Sequence, residues 1–301
     1  MRECCPVCGG RDVDTQYEVY DDRYAFAGRF TLARCRGCGA GFLRDPLPEG
    51  RMSELYGRHY PGRERAVRRR GSISAAIGAM IDGVNRTPEL ALELGIGRVL
   101  DVGCGTGRSE AIVRLRGGTW VGLELDIRKV EAMRSAGLEA HAIPLDEFSR
   151  AHAGEFDGVL ASQLLEHLGV PGELLEPCRR LLRQGGRIAL STPNFASRHR
   201  ARHGERWINN HAPYHQIHYT RRAIEIACRD HGFGVVRYRE VTPATWSVHQ
   251  RRYEAPREGA PGSWYGRRVP LSAVGLGGAI TRIGDLVYGG GDCIVTVAEK
   301  L

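Results

Sequence analysis

The chain of 301 residues is long enough for one large domain and a small additional module. Hydrophobic residues make up 42% of it and charged residues 26%, an ordinary balance for a globular protein. No apolar run approaches the roughly 20 residues of a membrane-spanning helix, and no apolar segment at the N-terminus resembles a secretion signal. We therefore expect a cytoplasmic protein without a membrane partner.

The formal net charge of +8 raises the question of a nucleic-acid partner. Lysine occurs only at Lys129 and Lys300, so nearly all of the positive charge is arginine scattered along the chain. The one dense basic run, residues 63–70, is interpreted as a solvated linker, with phosphate contacts as the alternative. We therefore expect a small-molecule partner rather than a nucleic acid, although the charge leaves the latter open. The oligomeric state has no signature in the sequence.

Two cysteine pairs lie in the first forty residues, each in a C-x-x-C-G pattern. Cys5 and Cys8 form the first pair, and Cys35 and Cys38 form the second. Each tight turn presents two thiolates, and four thiolates together favour tetrahedral zinc. A site with four protein ligands has no open position for chemistry, and so short a module has little core of its own. We predict structural Zn²⁺ at these four cysteines rather than a redox or catalytic site, with Cys4 in place of Cys5 as the poorer alternative.

The elements around these cysteines indicate a separate small module. Strand-like stretches at residues 15–20 and 29–34 accompany the cysteine pairs, which predicts a zinc-ribbon-like module over residues 1–60. Prolines and the arginine run then mark a boundary. Residues 61–97 are predicted to form a basic linker with a helix at about residues 72–85.

From residue 98 to 301, strands alternate with helices. The predicted strands are residues 98–103, 120–125, 138–143, 156–162, 187–192, 235–240 and 293–299. The predicted helices begin at Asp126, Pro171 and Thr220 and end at Gly137, Gly185–Gly186 and Gly232. This alternation predicts a doubly wound α/β domain with a mostly parallel, seven-stranded sheet. Residues 241–290 lack clear periodicity and are interpreted as an insertion near the site.

The stretch VLDVGCGTG, at residues 99–107, carries the most specific signal. A hydrophobic strand ends in a turn with Gly103, Gly105 and Gly107, where the backbone turns sharply and approaches a ligand. The spacing differs from the G-x-G-x-x-G pattern that receives a pyrophosphate. Asp101 inside the motif suits a sulfonium amino acid with a free ammonium group. Glu124 ends the next strand, where a carboxylate can accept hydrogen bonds from both ribose hydroxyls.

With these motifs in place, the chain resembles the class I S-adenosylmethionine-dependent methyltransferases over about residues 98–301. The matching segments are VLDVGCGTG, VGLELD, QLLEHL and LLRQGGRIALSTPN. The resemblance implies that the motif from Asp101 to Gly107 surrounds the methionine part of S-adenosylmethionine and that Glu124 holds its ribose.

Two further cofactor contacts follow from the same resemblance. Asp146 or Glu147 comes after the third strand, where the family contacts adenine, although IPLDE departs from the family's usual acidic pattern. Gln163 ends the fourth strand and is expected to border the cofactor as well. We take Asp146 and Gln163 as the candidate residues.

An acceptor with a hydroxyl or an acidic C–H must lose a proton, and histidine is the usual base. His167 follows the fourth strand at the carboxyl edge of the sheet, where ligands bind in such folds. His215 lies in NNHAPYHQIHYT. The chain resembles bacterial methyltransferases with an N-terminal zinc ribbon, and in that group a PYH segment borders the acceptor pocket. His215 is therefore predicted at the acceptor site, with Tyr214 and Tyr219 as pocket walls.

Other interpretations of the histidines stay open. His167 has an equal claim to a structural role, packed against the bound cofactor. His211 and His218 are expected to be surface or loop residues. A metal site built from His211, His215 and His218 is disfavoured because no carboxylate stands at a supporting spacing in the sequence.

The combination of a knuckle ribbon and a methyltransferase domain is similar to a bacterial group associated with sugar, polysaccharide or natural-product tailoring. The resemblance implies methyl transfer to oxygen or carbon of such a small molecule. The alternatives are an rRNA or tRNA methyltransferase that grips RNA with its ribbon and, less favoured, a non-catalytic zinc-dependent interaction protein.

Overall fold

The computed structural model describes residues 1–47, 55, 87–94, 96–264, 281, 283–285, 287 and 289–301. The predicted helix at residues 72–85 and the basic run at residues 63–70 lie outside the described residues. Within the described residues, no helix combines the length and the apolar character that crossing a bilayer would require.

The N-terminal part of the chain forms a four-stranded antiparallel sheet. Its first three strands are β1 (Val13–Tyr20), β2 (Arg29–Cys35) and β3 (Gly41–Leu43), which confirms both predicted strands. The fourth strand, β9 (Ile217–His218), comes from the distant segment NNHAPYHQIHYT and pairs with β3. The ribbon sheet is therefore completed by the part of the chain that was predicted to border the acceptor.

A second sheet of seven strands fills the rest of the molecule in the order β10-β11-β8-β7-β4-β5-β6. These strands are β4 (Arg98–Val102), β5 (Thr119–Leu123), β6 (Ala140–His141), β7 (Phe156–Ser162), β8 (Leu182–Pro193), β10 (Phe233–Val241) and β11 (Cys293–Lys300). Strand β11 is antiparallel to both neighbours, and the pairings among β4 to β8 are parallel. The predicted doubly wound, mostly parallel seven-stranded α/β sheet is confirmed.

Helices connect these strands. They are α1 (Thr87–Glu93), α2 (Glu110–Leu115), α3 (Ile127–Ser135), α4 (Leu145–Ala151), α5 (Gly172–Leu181), α6 (Arg198–His203), α7 (Arg221–Asp230) and α8 (Ala244–Arg251). The Asp126 side chain caps α3 by accepting a hydrogen bond from the Arg128 N–H, and Thr220 caps α7 in the same way from the Ala223 N–H. Both predicted caps are confirmed, whereas Pro171 stands just before α5 rather than at its first residue.

Two predicted boundaries were wrong. The third strand, expected at residues 138–143, is reduced to the two residues of β6, which pairs with β5 at the edge of the sheet. Strand β8 begins before Gly185 rather than after it, and its pairing with β7 shifts register at that end. The predicted insertion at residues 241–290 contains helix α8, which follows Pro243.

The ribbon and the large sheet share one hydrophobic cluster. Ribbon residues such as Val7 and Phe42 pack with Leu165 and Tyr219 of the second part, and all four side chains are buried. Contact between strand β3 and the loop after β8 is close, since a Cβ added at Gly41 would lie 2.4 Å from the Phe195 ring. The ribbon therefore packs as a wall of the larger unit, and the domain boundaries expected near residues 60 and 97 stay predictions.

Thr220 links the two parts through its hydroxyl, which donates to the Cys38 carbonyl at 2.8 Å while it caps α7. Replacing it with valine keeps the shape but removes both hydrogen bonds. We expect Thr220→Val to lower the free energy of unfolding by about 1 to 3 kcal/mol, as measured by chemical denaturation. Thr119→Val, at the exposed first residue of β5, is the control. An equal effect of both variants would contradict this role.

Candidate active site

The glycine turn after β4 and the acid after β5 lie together at the carboxyl edge of the sheet. Gly105 donates its backbone N–H to Glu124 Oε2 at 2.9 Å, and Asp126 donates its N–H to Glu124 Oε1 at 3.1 Å. Gly105 has a φ of +60° and no atom within 4 Å of the position a Cβ would take. A side chain would therefore be strained there and would fill open space in front of the turn. The open space at this turn fits a ligand that approaches the backbone.

Asp101 precedes this turn and takes part in a buried hydrogen-bond network. Its carboxylate is buried and accepts a short hydrogen bond from the Ser109 hydroxyl, which in turn accepts one from Trp120 Nε1 at 2.7 Å. Burial raises the pKa of Asp101 to about 7, an effect that the Ser109 and Trp120 hydrogen bonds partly offset. Asp101 thus anchors the start of α2 against β4, and its contact with the methionine part of a cofactor stays a prediction.

The two loops that meet at the switch point of the sheet follow β4 and β7. A Cβ at Gly103 would lie 3.5 Å from the Leu164 side chain, so the glycine turn packs directly against the loop after β7. Gln163 starts that loop with a φ of +53°, unusual for a residue other than glycine, and donates its N–H to the Ser191 carbonyl at 2.8 Å. The structure therefore brings Gln163 beside the glycine motif.

Asp146 is not brought to the same place by any contact among the described residues. Its carboxylate lies half-exposed on α4, where it pairs with Arg150 and Arg180 at 2.5 Å and 3.0 Å. Those two arginines belong to α4 and α5, so the carboxylate ties two neighbouring helices together. The adenine contact stays a prediction, which this double ion pair does not favour.

The predicted acceptor side lies where the turn after β7 meets residues 209–218. His167 Nδ1 lies 3.1 Å from the Tyr214 carbonyl, and His215 Nδ1 lies 2.9 Å from the Asn209 carbonyl. A carbonyl only accepts, so both Nδ1 atoms carry protons and both Nε2 atoms keep their lone pairs. The two rings meet edge to face with centroids 4.8 Å apart. Sequence residues 48 positions apart in the chain thus form one pair.

Burial keeps these rings neutral. It lowers the pKa of His167 to about 4 and the pKa of His215 well below its usual value, and the nearby Arg23 guanidinium adds to both shifts. His211 and His218 were expected to be surface or loop residues. Both are buried, at 5% and 1% exposed, so a surface position was wrong for both; His211 lies in a loop, whereas His218 lies in strand β9. Residues 211 and 218 are covered because this segment runs between the two sheets.

The ribbon contributes an aromatic side chain to the predicted acceptor side. The Tyr24 ring lies edge-on to the rings of His211 and Tyr214, with centroids 5.8 Å and 5.3 Å away. Tyr214 and Tyr219 are both fully buried, and their place in the walls of an acceptor pocket stays a prediction. The acceptor side is therefore enclosed by aromatic side chains from both parts of the chain.

Glu166 is a residue of this site that the sequence did not single out. Its side chain is fully buried, and Oε2 has no hydrogen-bond partner among the described residues. In the amide orientation that satisfies its surroundings, Gln163 Nε2 donates to Glu166 Oε1 at 3.3 Å. Burial raises the pKa of Glu166 to about 8, which the neighbouring Thr192 hydroxyl only partly offsets. The available signal was its place next to His167 in the LEHL segment.

Asp292 fixes the segment that carries His215 and was also missed. Its buried carboxylate accepts from Ser197 Oγ at 2.6 Å, Trp207 Nε1 at 2.8 Å and Asn209 Nδ2 at 3.2 Å. Because Asn209 also provides the carbonyl that orients His215, the carboxylate positions that ring through one intermediate residue. An aspartate ahead of the last strand carries no recognisable motif.

The four predicted cysteines form one cluster at the opposite end of the ribbon. Cys5 and Cys38 have sulfur atoms 3.6 Å apart, as do Cys8 and Cys35, and all four sulfurs lie within 4.8 Å of one another. A tetrahedral zinc with bonds of about 2.3 Å has sulfur–sulfur edges of about 3.8 Å. The donor set and spacing fit Zn²⁺, and Cys4 is exposed outside the cluster.

Removing one ligand should release this metal. We expect Cys38→Ser to lower the zinc content from one per chain towards zero, measured by plasma mass spectrometry, and to lower the unfolding temperature. Cys4→Ser is the matched control and should retain its zinc. Loss of zinc from the control, or full zinc content in Cys38→Ser, would mean that the ligand set is wrong.

Asp292→Asn tests the network that orients the acceptor segment. The amide places a donor against the Asn209 Nδ2 donor, so we expect the free energy of unfolding to fall by about 1 to 3 kcal/mol. Chemical denaturation measures the change. The control is Asp230→Asn, whose exposed carboxylate pairs, within the part of the chain that the structure describes, with its neighbour Arg229. An unchanged stability in Asp292→Asn would show that the network is not required.

Comparison with known proteins agrees with this architecture. A family model described as "Methyltransferase domain" matches residues 72–238, more than half of the 301-residue chain. The ubiquinone biosynthesis O-methyltransferase of Bordetella avium is 34% identical over 112 residues, which are 35% of this chain and 46% of the relative. That of Psychrobacter arcticus is 38% identical over 109 residues, 32% and 41% of the two chains. The chain spans about half the length of the curated relatives it matches.

A solved structure shows a similar fold. It is a chain from the complex between the Haloferax volcanii Trm112 methyltransferase activator and a methyltransferase, with a TM-score of 0.50 and 16% identity. The similarity covers 75% of this chain and 94% of that one, and at this identity it concerns the fold alone. The matched family and the strand order lead to the same assignment: the chain belongs to the methyltransferase-domain family, with the fold of the class I S-adenosylmethionine-dependent methyltransferases.

Proposed function

We propose that this protein binds S-adenosylmethionine and transfers its methyl group to oxygen or carbon of a small molecule, such as a sugar, a nucleotide sugar or a natural-product scaffold. The proposal rests on the hydrogen bond from the Gly105 N–H to the Glu124 carboxylate and on the open space next to Gly105. Both lie at the carboxyl edge of the sheet, where the strand order reverses and ligands bind in such folds.

Different residues around this open space would bind different parts of the cofactor. Glu124 would accept hydrogen bonds from the ribose hydroxyls, and the turn from Gly103 to Gly107 would lie along the methionine part. Bound S-adenosylmethionine supplies a methyl group on a positively charged sulfur. The protein then has to align the acceptor in line with that methyl group, because the neutral leaving group needs no acid.

The acceptor would lie against the turn after β7, in front of His167 and His215. The Tyr214 and Asn209 carbonyls fix the orientation of these two rings, and the His215 ring is buried. The enclosure by Tyr24 and Tyr214 favours an acceptor of small size. The relatives' name, O-methyltransferase, supports oxygen as the atom methylated in this chain too.

Calorimetric titration with S-adenosylhomocysteine tests the proposal. We expect the zinc-loaded wild type to bind and Glu124→Ala to bind more than tenfold more weakly, since two hydrogen bonds to a charged group contribute about 1.5 to 3 kcal/mol each. Glu131→Ala, which removes an exposed carboxylate of α3, should bind like the wild type.

Thermal unfolding of each variant provides the check on folding. A folded wild type that does not bind S-adenosylhomocysteine would overturn the proposal. If Glu124→Ala binds S-adenosylhomocysteine as tightly as the wild type, the cofactor assignment stands but the ribose contact assigned to Glu124 is wrong.

A further inference from the structure

A group of arginines lies around helix α6, outside both the glycine turn and the cysteine cluster. Helix α6 and the turn after it carry Arg198, Arg202 and Arg206 at intervals of four residues, which places the first two on the same side of the helix. Arg251, the last residue of α8, completes the group, which we call the basic face. We propose that this face binds a phosphate or diphosphate group of the methyl acceptor. The inference rests on the proposed function and narrows its acceptor to a phosphorylated small molecule.

Hydrogen bonds bring the end of α8 to the turn after α6. The Gln250 side chain accepts from the Ile208 N–H at 3.0 Å and donates to the Arg206 carbonyl at 2.9 Å. On α6 itself, the His199 and His203 rings stack with centroids 6.2 Å apart. The four arginines of the basic face therefore surround one helical turn with two stacked imidazoles.

The two histidines show how close the positive charges lie. Burial lowers the pKa of His199, and three arginines of the basic face add to this shift against the opposing charge of Asp285. Burial also lowers the pKa of His203, and His199, Arg202 and Arg206 add to it. Both rings are thus neutral at pH 7, and the charge of the face is that of its arginines.

Carboxylates neutralise only part of this charge. Arg198 pairs with Asp285 at 3.4 Å, whereas the other three arginines of the face form no ion pair within the described part of the chain. Glu205 lies in the turn between them, so four arginines stand against two carboxylates. All four arginines are exposed. Guanidinium groups without a protein carboxylate attract phosphate, which they bind through paired, charge-assisted hydrogen bonds.

A short hydrogen-bond network connects the basic face to the predicted acceptor side. Ser197 Oγ accepts from the Arg200 N–H at the start of α6 and donates to Asp292 at 2.6 Å. Asp292 also accepts from Asn209, whose carbonyl lies 2.9 Å from His215 Nδ1. One carboxylate therefore fixes both the helix that carries the arginines and the segment that carries the histidine.

The distance between the two places suits a small acceptor. Arg206 precedes Asn209 by three residues, so their Cα atoms are at most about 11 Å apart. A sugar with a phosphate or diphosphate on the basic face can span that distance and present its reacting atom next to His215. A nucleic acid would reach few of its phosphates with one short helix and one turn, and its affinity depends on many such contacts. The observations therefore favour a phosphorylated small molecule.

The test is a calorimetric titration of the full, zinc-loaded chain with inorganic pyrophosphate in about 50 mM salt. We expect binding that weakens as the salt is raised to about 200 mM, because salt screens exposed charges. Arg202→Gln and Arg251→Gln should each weaken binding about tenfold, since each loses charge-assisted hydrogen bonds. Arg222→Gln removes the same charge from an exposed position of α7 and should bind like the wild type.

Three results would overturn the inference. The first is a folded wild type that does not bind pyrophosphate, and the second is an equal loss of affinity in all three variants. The third is a single-stranded RNA of about ten nucleotides that binds more tightly than pyrophosphate and is lost in the same two variants, because the face would then bind nucleic acid. Arg206→Gln replaces either arginine variant that thermal unfolding shows to be misfolded.

S-adenosylhomocysteine titration of the same samples separates the two proposals. If the wild type binds S-adenosylhomocysteine but not pyrophosphate, the proposed function stands and the basic face is wrongly assigned. If it binds pyrophosphate but not S-adenosylhomocysteine, the face binds anions and the proposed function is overturned, together with the role of the face in holding a methyl acceptor.

Discussion

The backbone N–H and C=O of Gln216 connect the large sheet to the ribbon beside the predicted acceptor side. Its N–H donates to the Glu166 carbonyl in the turn after β7 at 2.7 Å, and its carbonyl accepts from the Leu43 N–H of the ribbon at 3.1 Å. One residue thus joins the large sheet to the ribbon through backbone hydrogen bonds alone. This bridge places strand β9 of the ribbon sheet next to the turn that carries His167.

Through this bridge, the cysteine cluster is connected to the predicted acceptor side as well as to the ribbon. The cysteines fix two tight turns, and the Cys38 carbonyl accepts from Thr220 at the start of α7. Strand β3 pairs with His218, three residues after His215. Loss of the metal should therefore loosen the acceptor wall as well as the ribbon, because the two share strands and a hydrophobic cluster.

Burial explains why the polar groups of the acceptor side are ordered. Glu166, His211, His215 and His218 are buried, so each unsatisfied hydrogen-bonding group is unfavourable and each satisfied one is held in place. Asp292 contributes by accepting three hydrogen bonds from the segment before His215 and the loop after β8.

The sequence alone determined the local features, because local chemistry decides them. Glycines at the end of a hydrophobic strand, capping side chains at Asp126 and Thr220, and two C-x-x-C-G turns depend on neighbours a few residues away. The alternation of strands and helices was enough to predict the doubly wound sheet. The short β6 and the early start of β8 were missed, since sheet position and pairing decide strand length.

Only the tertiary structure decided which distant residues meet. No carboxylate stands near His215 in the sequence, whereas folding places Glu166 beside it through the turn after β7. Asp292 and the pairing of β3 with β9 likewise join residues that no motif connects. Such contacts depend on how two sheets pack around a shared segment, and that packing is a property of the whole chain rather than of any stretch within it.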